Sequence, residues 1–288
     1  MSAIPKPELV PHRSGGLSCW VDPTLRAENG VVVAFTERTG GVSAPPFASL
    51  NLGTHVGDDP AHVAENRRRM LFALGLEAHL SALTTAEQVH GTAITRVSRQ
   101  VVPGTVPTAL AAAPRAPAPG CPPVPAADGL MTTTPAVPLL MCYADCVPVV
   151  LVAPGPAVCV VHAGWRGMLG GIVSKAVGEV ARQVCASPSK INAYIGPHIQ
   201  ACHYEADETI ISQFVSTFGT VTRAHFSGLD LAAAAMESLV ASGIMRQRVV
   251  SMDVCTAEEG DRFFSYRAEG GTTGRHGALA CIDVSSSG

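Results

Sequence analysis

The sequence predicts a mixed fold of strands and helices built round a buried central β-sheet, and three observations predict it. Between Pro138 and Gly171 lie three apolar runs, Leu139–Ala144, Val147–Ala153 and Ala157–Ala163, broken by Asp145-Cys146 and Pro154-Gly155-Pro156. Each run has the length of a buried strand and is too short to span a bilayer. Apolar residues recur at helical spacing elsewhere, as in Ile172, Val173, Ala176, Val177, Val180 and Val184. Of 288 residues 47% are hydrophobic and 15% charged, enough apolar side chain for one large core or two modest ones.

In chain order, residues 1–29 form a proline-rich lead expected to be loosely held. Gly30–Thr36 reads as a strand, and Glu37-Arg38-Thr39-Gly40-Gly41 as a turn without the signature of a phosphate loop. Ala61–Leu76 reads as a helix with Val63, Met70, Leu71, Leu74 and Leu76 inward and Asn66-Arg67-Arg68-Arg69 as a solvated face. Val101–Pro125 is a Pro/Ala-rich tract that cannot pack a core and reads as a surface loop within one catalytic domain over 30–288. Helices are expected at Met168–Ala186, Glu208–Phe218 and Asp230–Ser242, and strands at Ile191–Gly196, Arg248–Cys255 and Gly277–Val284.

A net charge of −3 gives no reason to expect nucleic acid or an anionic membrane surface as a partner. The first residues lack the apolar segment of a signal peptide, and no run is long enough to span a membrane. Nine cysteines, an odd number without a C-x-x-C pair, fit reduced thiols, so a cytoplasmic location is expected. Nothing in the sequence specifies an oligomeric state.

The candidate chemistry sits at strand ends. Cys146 follows an acid at a junction between apolar runs, His162 closes the third run before Gly164-Trp165-Arg166-Gly167, and His90 ends Gln88-Val89-His90. Two imidazoles and one thiolate suit zinc with a fourth position left open, and such an ion can lower the pKa of a water or attract an oxyanion. Two rivals stand beside it. In a metal-free hydrolase Cys146 is the nucleophile and His162 its base, with Asp145 or another group orienting the imidazole. The other is a copper-binding polyphenol oxidase, although paired histidine motifs of the multicopper kind are missing. A second group, His198, Cys202, His203 and Glu205, is rich in ligands, but nothing in its spacing forces convergence.

Nine motifs carry a resemblance: FTERTGGVS at 35–43, SLNLG at 49–53, QVHG at 88–91, ADGLM at 127–131, ADCVP at 144–148, HAGWRG at 162–167, IGP at 195–197, FFSYR at 263–267 and TGR at 273–275. Together and in this order they resemble the family formerly called multicopper polyphenol oxidase or laccase-like, now described as bacterial purine nucleoside phosphorylases with adenosine deaminase activity. The resemblance implies an α+β fold with mixed β-sheets sandwiched between helices. It implies one Zn2+ per chain on His90, Cys146 and His162, with Cu2+ able to bind in vitro. It also implies phosphorolysis of adenosine, inosine, guanosine and methylthioadenosine to base and ribose 1-phosphate, and deamination of adenosine. Its motifs single out Arg38, Arg166 and Arg267 to hold phosphate or substrate, or to act as structural clamps. Asn51 would bind ribose or purine, or cap a turn; Asp145 would shuttle a proton, or form a salt bridge.

Overall fold

The computed structural model describes residues 3–98, 123–225 and 227–283, so the tract expected at 101–125 lies almost wholly outside the described residues. The first elements are β1 (Val10–Ser14), β2 (Leu17–Val21), α1 (Pro23–Asn29), β3 (Val31–Thr36) and α2 (Pro60–Ala73). After them come β4 (Ile94–Arg96), β5 (Gly129–Thr132), β6 (Leu139–Tyr143), β7 (Val147–Ala153) and β8 (Ala157–Ala163). The chain continues through α3 (Trp165–Leu169), α4 (Ile172–Gln183), β9 (Asn192–Ile195) and α5 (Glu208–Phe218), and closes with α6 (Leu231–Ala241), β10 (Val249–Ser251) and β11 (His276–Ile282).

The strands make two sheets, ordered β1-β2-β3-β11-β6 and β10-β9-β7-β8-β5-β4. The first is antiparallel at every pairing; the second is mixed, with β10 parallel to β9 and β4 parallel to β5 at its edges. Alternate side chains of each central strand enter different layers, as the period of two requires. Val31, Val33, Phe35, Met141 and Tyr143 meet Val150, Val152, Val158 and Val160 between the sheets. Val149, Leu151, Cys159 and Val161 point the other way, onto α4, α5 and α6. Val32, Ala34, Leu140 and Cys142 pack on Met70 and Leu71 of α2. The α+β fold class with helices outside two sheets is thus as expected.

Four local expectations change. Residues 10–29 are no loose lead: β1 and β2 pair as a hairpin, and α1 is capped by Asp22, whose carboxylate accepts from Leu25 N–H at 2.8 Å. Asn66 and Arg67 are not on a solvated face. Four consecutive helical residues sweep through all directions at 100° each, so a run of four cannot share one side. The Asn66 amide is buried against Val42, Ser43, Ser49 and Asn51, and Arg67 donates to the Leu52 carbonyl; Arg68 and Arg69 stay outside on Glu65. The helix expected at 168–186 is cut in two. Gly171 is left-handed at φ 79°, and a Cβ on Gly170 would stand 2.6 Å from Thr92 Cγ2. The strand expected over 248–255 is continuous only as far as Ser251, with an isolated bridge to His198 at Cys255.

His276 has both ring nitrogens buried without a hydrogen-bond partner among the described residues. Burial pushes its pKa down to about 3, and repulsion from Arg275 adds to this. An unfolded chain takes up that proton below about pH 6.5 while the fold does not, so stability is full above 6.5 and falls as the pH drops toward 3. The slope is up to about 1.4 kcal/mol per pH unit, or roughly 3 kcal/mol between pH 6.5 and 4. Urea midpoints for His276→Gln should fall less steeply over this range than those of the parent. Equal slopes would exclude His276 as the source.

Candidate metal centre and its cleft

Strand pairing brings the site together. β7 and β8 form a hairpin whose turn is Pro154-Gly155-Pro156, so the start of β7 and the end of β8 lie at the same end, with Val147 opposite Ala163 and Pro148 opposite His162. Cys146 immediately precedes β7. On the other side of β8, Gly129 lies opposite Val161, which sets Asp128 beside His162. β4 runs parallel to β5 with Ile94 opposite Gly129, so the loop just before β4 delivers His90 to the same corner.

The ligand atoms of His90, Cys146 and His162 lie within 4.8 Å of one another. Cys146 Sγ is 3.8 Å from His90 Nε2, and the two imidazole rings meet edge-on with centroids 4.8 Å apart. Gly164 makes the convergence possible: a Cβ there would stand 2.8 Å from His90 Cδ2 and 3.2 Å from Cys146 Sγ. Asp145 holds the turn before the thiol at φ 97°, a conformation a non-glycine residue adopts only when its surroundings enforce it.

A buried carboxylate underlies all of this. Asp128 Oδ1 accepts from the His90 N–H at 2.9 Å and lies 2.8 Å from His162 Nδ1; Oδ2 accepts from Val89 N–H at 3.2 Å and Gly91 N–H at 2.7 Å. It fixes the His90 loop and also leaves His162 with Nε2 for the centre, the partnership found behind metal-binding histidines. Burial opposes the charge on Asp128, but these hydrogen bonds win and its pKa is lowered. Burial alone would raise Cys146; the charge of His162 and hydrogen bonds from both imidazoles reverse this and bring the thiol down to about 6. His162 moves up to about 9 against its own burial, held by the Cys146 thiolate and Asp128. Without metal both shifts favour the thiolate–imidazolium form of the pair. Two nitrogens and one thiolate, with a backed histidine, fit a three-donor zinc site.

Next to this corner a cleft is lined by Trp165, Tyr204, Glu205, Asp207, Ser227 and Arg267. Arg166 lies over the Trp165 ring at 4.3 Å, Arg267 over Tyr204 at 5.1 Å. Burial pushes the Tyr204 phenol up to about 12, with the charge of Cys146 adding to it.

The description "multi-copper polyphenol oxidoreductase laccase" matches residues 32–283. The chain belongs to that family. It is 36% identical over 269 residues to a protein named purine nucleoside phosphorylase YlmD from Geobacillus stearothermophilus, covering 91% of this chain and 92% of the relative. It is 38% identical over 262 residues to a purine nucleoside phosphorylase of Deinococcus radiodurans, covering 89% and 92%. The crystal structure of the hypothetical protein YfiH of Bacillus licheniformis superposes with a TM-score of 0.79 at 30% identity, covering 94% of this chain and 97% of that one.

In this laccase-family chain the other sequence-predicted residues fall into two groups. Arg166 is exposed, stacked on the cleft residue Trp165 and without an ion-pair partner among the described residues, and Arg267 lines the cleft while donating to the Glu205 carbonyl. The remaining three are bound up inside the fold. Arg38 donates to the carbonyls of Ala48, Gly260 and Phe263 and pairs with Glu269. Asn51 is fully buried, its amide donating to Gly53 and Asp58 and accepting from Gly53 and Arg275 N–H. Both oxygens of Asp145 are occupied, by the Thr256 hydroxyl at 2.7 Å and the Arg267 N–H at 2.7 Å. Arg38 and Asn51 are thus placed as the clamp and the turn cap that were their structural alternatives, whereas Asp145 is held by hydrogen bonds and by none of the salt bridges among the described residues. The residue chains they hold are the FTERTGGVS, SLNLG and FFSYR motifs themselves.

Sequence reading passed over Asp128, Tyr204 and Arg275. Arg275 lies close enough to Asp145 and Cys146 for their charges to act on it, although burial is what chiefly lowers its pKa. The available signal for Asp128 was an acid opening an otherwise apolar strand, Ala127-Asp128-Gly129-Leu130-Met131, which must have a partner to be buried.

Proposed function

We propose that this chain is a zinc-dependent purine nucleoside phosphorylase, cleaving adenosine, inosine, guanosine and methylthioadenosine with phosphate, and that it also deaminates adenosine to inosine. The observation that carries this reading is an open three-donor centre beside a cleft that offers both aromatic faces and unpaired cationic charge, in a chain whose relatives are named phosphorylases. Trp165 and Tyr204 offer π-faces to a purine. Arg166 and Arg267 offer charge to phosphate, whose oxygen attacks C1′ while the glycosidic electrons leave with the base. Asp128 keeps His162 oriented throughout. When bound, zinc supplies Lewis acidity at the corner where His90, Cys146 and His162 meet. A cytoplasmic setting belongs to the same reading: eight cysteines are free thiols among the described residues.

The lowered Cys146 thiol beside His162 favours a second reading, a metal-free cysteine hydrolase. The two differ under chelation. The zinc reading expects chelator to abolish turnover, added zinc to restore it, and ribose 1-phosphate to form only when phosphate is supplied. Full activity in zinc-free protein would discard it in favour of the hydrolase. Copper is expected to bind in vitro because it outcompetes zinc at most nitrogen and sulfur sites, yet one such centre cannot store the four electrons that reduction of oxygen to water requires.

Arg166→Ala should weaken apparent phosphate affinity by roughly 1.5–3 kcal/mol, the worth of a charged hydrogen bond, with zinc content unchanged. An unaltered phosphate KM would remove this arginine from the phosphate site.

A further inference from the structure

We infer that the chain carries a second metal site, a closed one, built by Cys202, His203, Cys255 and Glu258. Their ligand atoms all lie within 4.8 Å of one another, and none of the four belongs to the centre described above. Parallel pairing of β9 and β10 creates the site. Both strands end at the same edge, and beyond the sheet an isolated parallel bridge between His198 and Cys255, one residue out of the strand register, keeps the two chains side by side. The chain then turns at Gln200, whose carbonyl accepts from His203 and Tyr204 N–H at 3.0 Å each, and this folds Cys202-His203 back over Cys255. A helical turn closed by Glu259 N–H on the Cys255 carbonyl at 3.0 Å sets Cys255 and Glu258 on one side.

The distances suit coordination. His203 Nδ1 lies 3.0 Å from Cys202 Sγ and 3.5 Å from Cys255 Sγ. Bonds of about 2.3 Å to sulfur and about 2.0 Å to nitrogen give tetrahedral sulfur–nitrogen edges of roughly 3.5 Å. Two thiolates, an imidazole and a carboxylate fill four positions and leave none for substrate, which marks a structural zinc site. Cys255 is buried at its base while Cys202, His203 and Glu258 are exposed, so an ion can enter from solvent.

The site ties a loop that walls the cleft to the loop that holds Asp145. Tyr204 and Glu205 follow His203 directly, and Thr256, next to Cys255, donates to Asp145 beside Cys146. The ligand-rich sequence cluster at 198–205 thus divides. His198 turns inward to lie 2.8 Å from the Gly196 carbonyl, Glu205 lines the cleft, and Cys202 and His203 find their partners some fifty residues later.

The test uses the full chain, purified under reduction, dialysed against micromolar Zn2+ and measured for bound metal. His162→Ala, which breaks only the first centre, should keep one equivalent of zinc. His162→Ala combined with Cys202→Ser should keep none, with circular dichroism confirming that it is folded. Co2+ in place of zinc should give a sulfur-to-cobalt charge-transfer band in His162→Ala that Cys202→Ser removes. A failure of the first centre alone leaves this result intact, since the retained ion follows Cys202 and not His162. The proposal falls if His162→Ala binds no metal, if the retained ion survives Cys202→Ser, or if Cys202 and Cys255 are found joined as a disulfide in zinc-loaded protein.

Discussion

Cys146→Ala protein is expected to fold, to carry one equivalent of metal fewer than the parent, and to turn nucleosides over at background rate. The thiolate is the only sulfur of the first centre and the only donor there that offsets the ion's charge. Losing it should cost more than the roughly 10–100-fold that follows loss of a supporting partner. The fold should survive because the side chain is only half-buried just before β7, while the apolar residues from Val147 onward stay in place. Loss of activity alone does not separate the zinc reading from the hydrolase, since both need this sulfur. Alkylation does. In zinc-loaded parent the sulfur's lone pairs are engaged, so iodoacetamide should react slowly at Cys146 and rapidly once chelator is added, in step with metal release. Equally fast alkylation with and without zinc would mean that the thiol is not a ligand.

Much of the fold could be read because its central strands are buried on both faces. Val147–Ala153 and Ala157–Ala163 are found at the residues where the apolar runs begin and end, since Asp145-Cys146 and Pro154-Gly155-Pro156 interrupt them physically as well as in pattern. Glu208–Phe218 is likewise a helix over its whole expected range. The β1–β2 hairpin was not legible: β1 alternates half-buried and exposed residues at a sheet edge, so Val10, His12 and Ser14 show no apolar run. The three donors of the first centre could be nominated because each stands in a separate motif, Cys146 and His162 at strand ends and His90 in the loop before β4. What could not be read is what lies behind them. Asp128 reaches Val89, His90, Gly91 and His162 only through the pairing of β4, β5 and β8, and Cys255 meets Cys202 only through β9 and β10. Local sequence carries no trace of partnerships set by sheet order.

Asp128→Asn is the sharper probe of that hidden support, because it keeps the volume and removes only the ability to accept on both sides. The Oδ1 position faces the His90 N–H and His162 Nδ1, while Oδ2 faces the N–H groups of Val89 and Gly91. An asparagine must place its NH2 at one of them. At Oδ2 it opposes two backbone donors that are then left unsatisfied beside a fully buried side chain, at about 1–3 kcal/mol for each such group. At Oδ1 it opposes the His90 N–H, and His162 can then only accept at Nδ1. That moves the imidazole proton to Nε2, the nitrogen meant for the metal. Either orientation damages the centre, so zinc affinity should drop by roughly 10–100-fold, with nucleoside cleavage at limiting zinc falling in parallel. Excess zinc should rescue part of the activity if the histidine tautomer is the main loss, whereas urea midpoints should shift at every zinc concentration if the loop is. Competition with a chromophoric chelator and urea unfolding measure the two separately. An Asp128→Asn protein with parental zinc affinity and parental stability would show that this carboxylate organises neither the His90 loop nor His162.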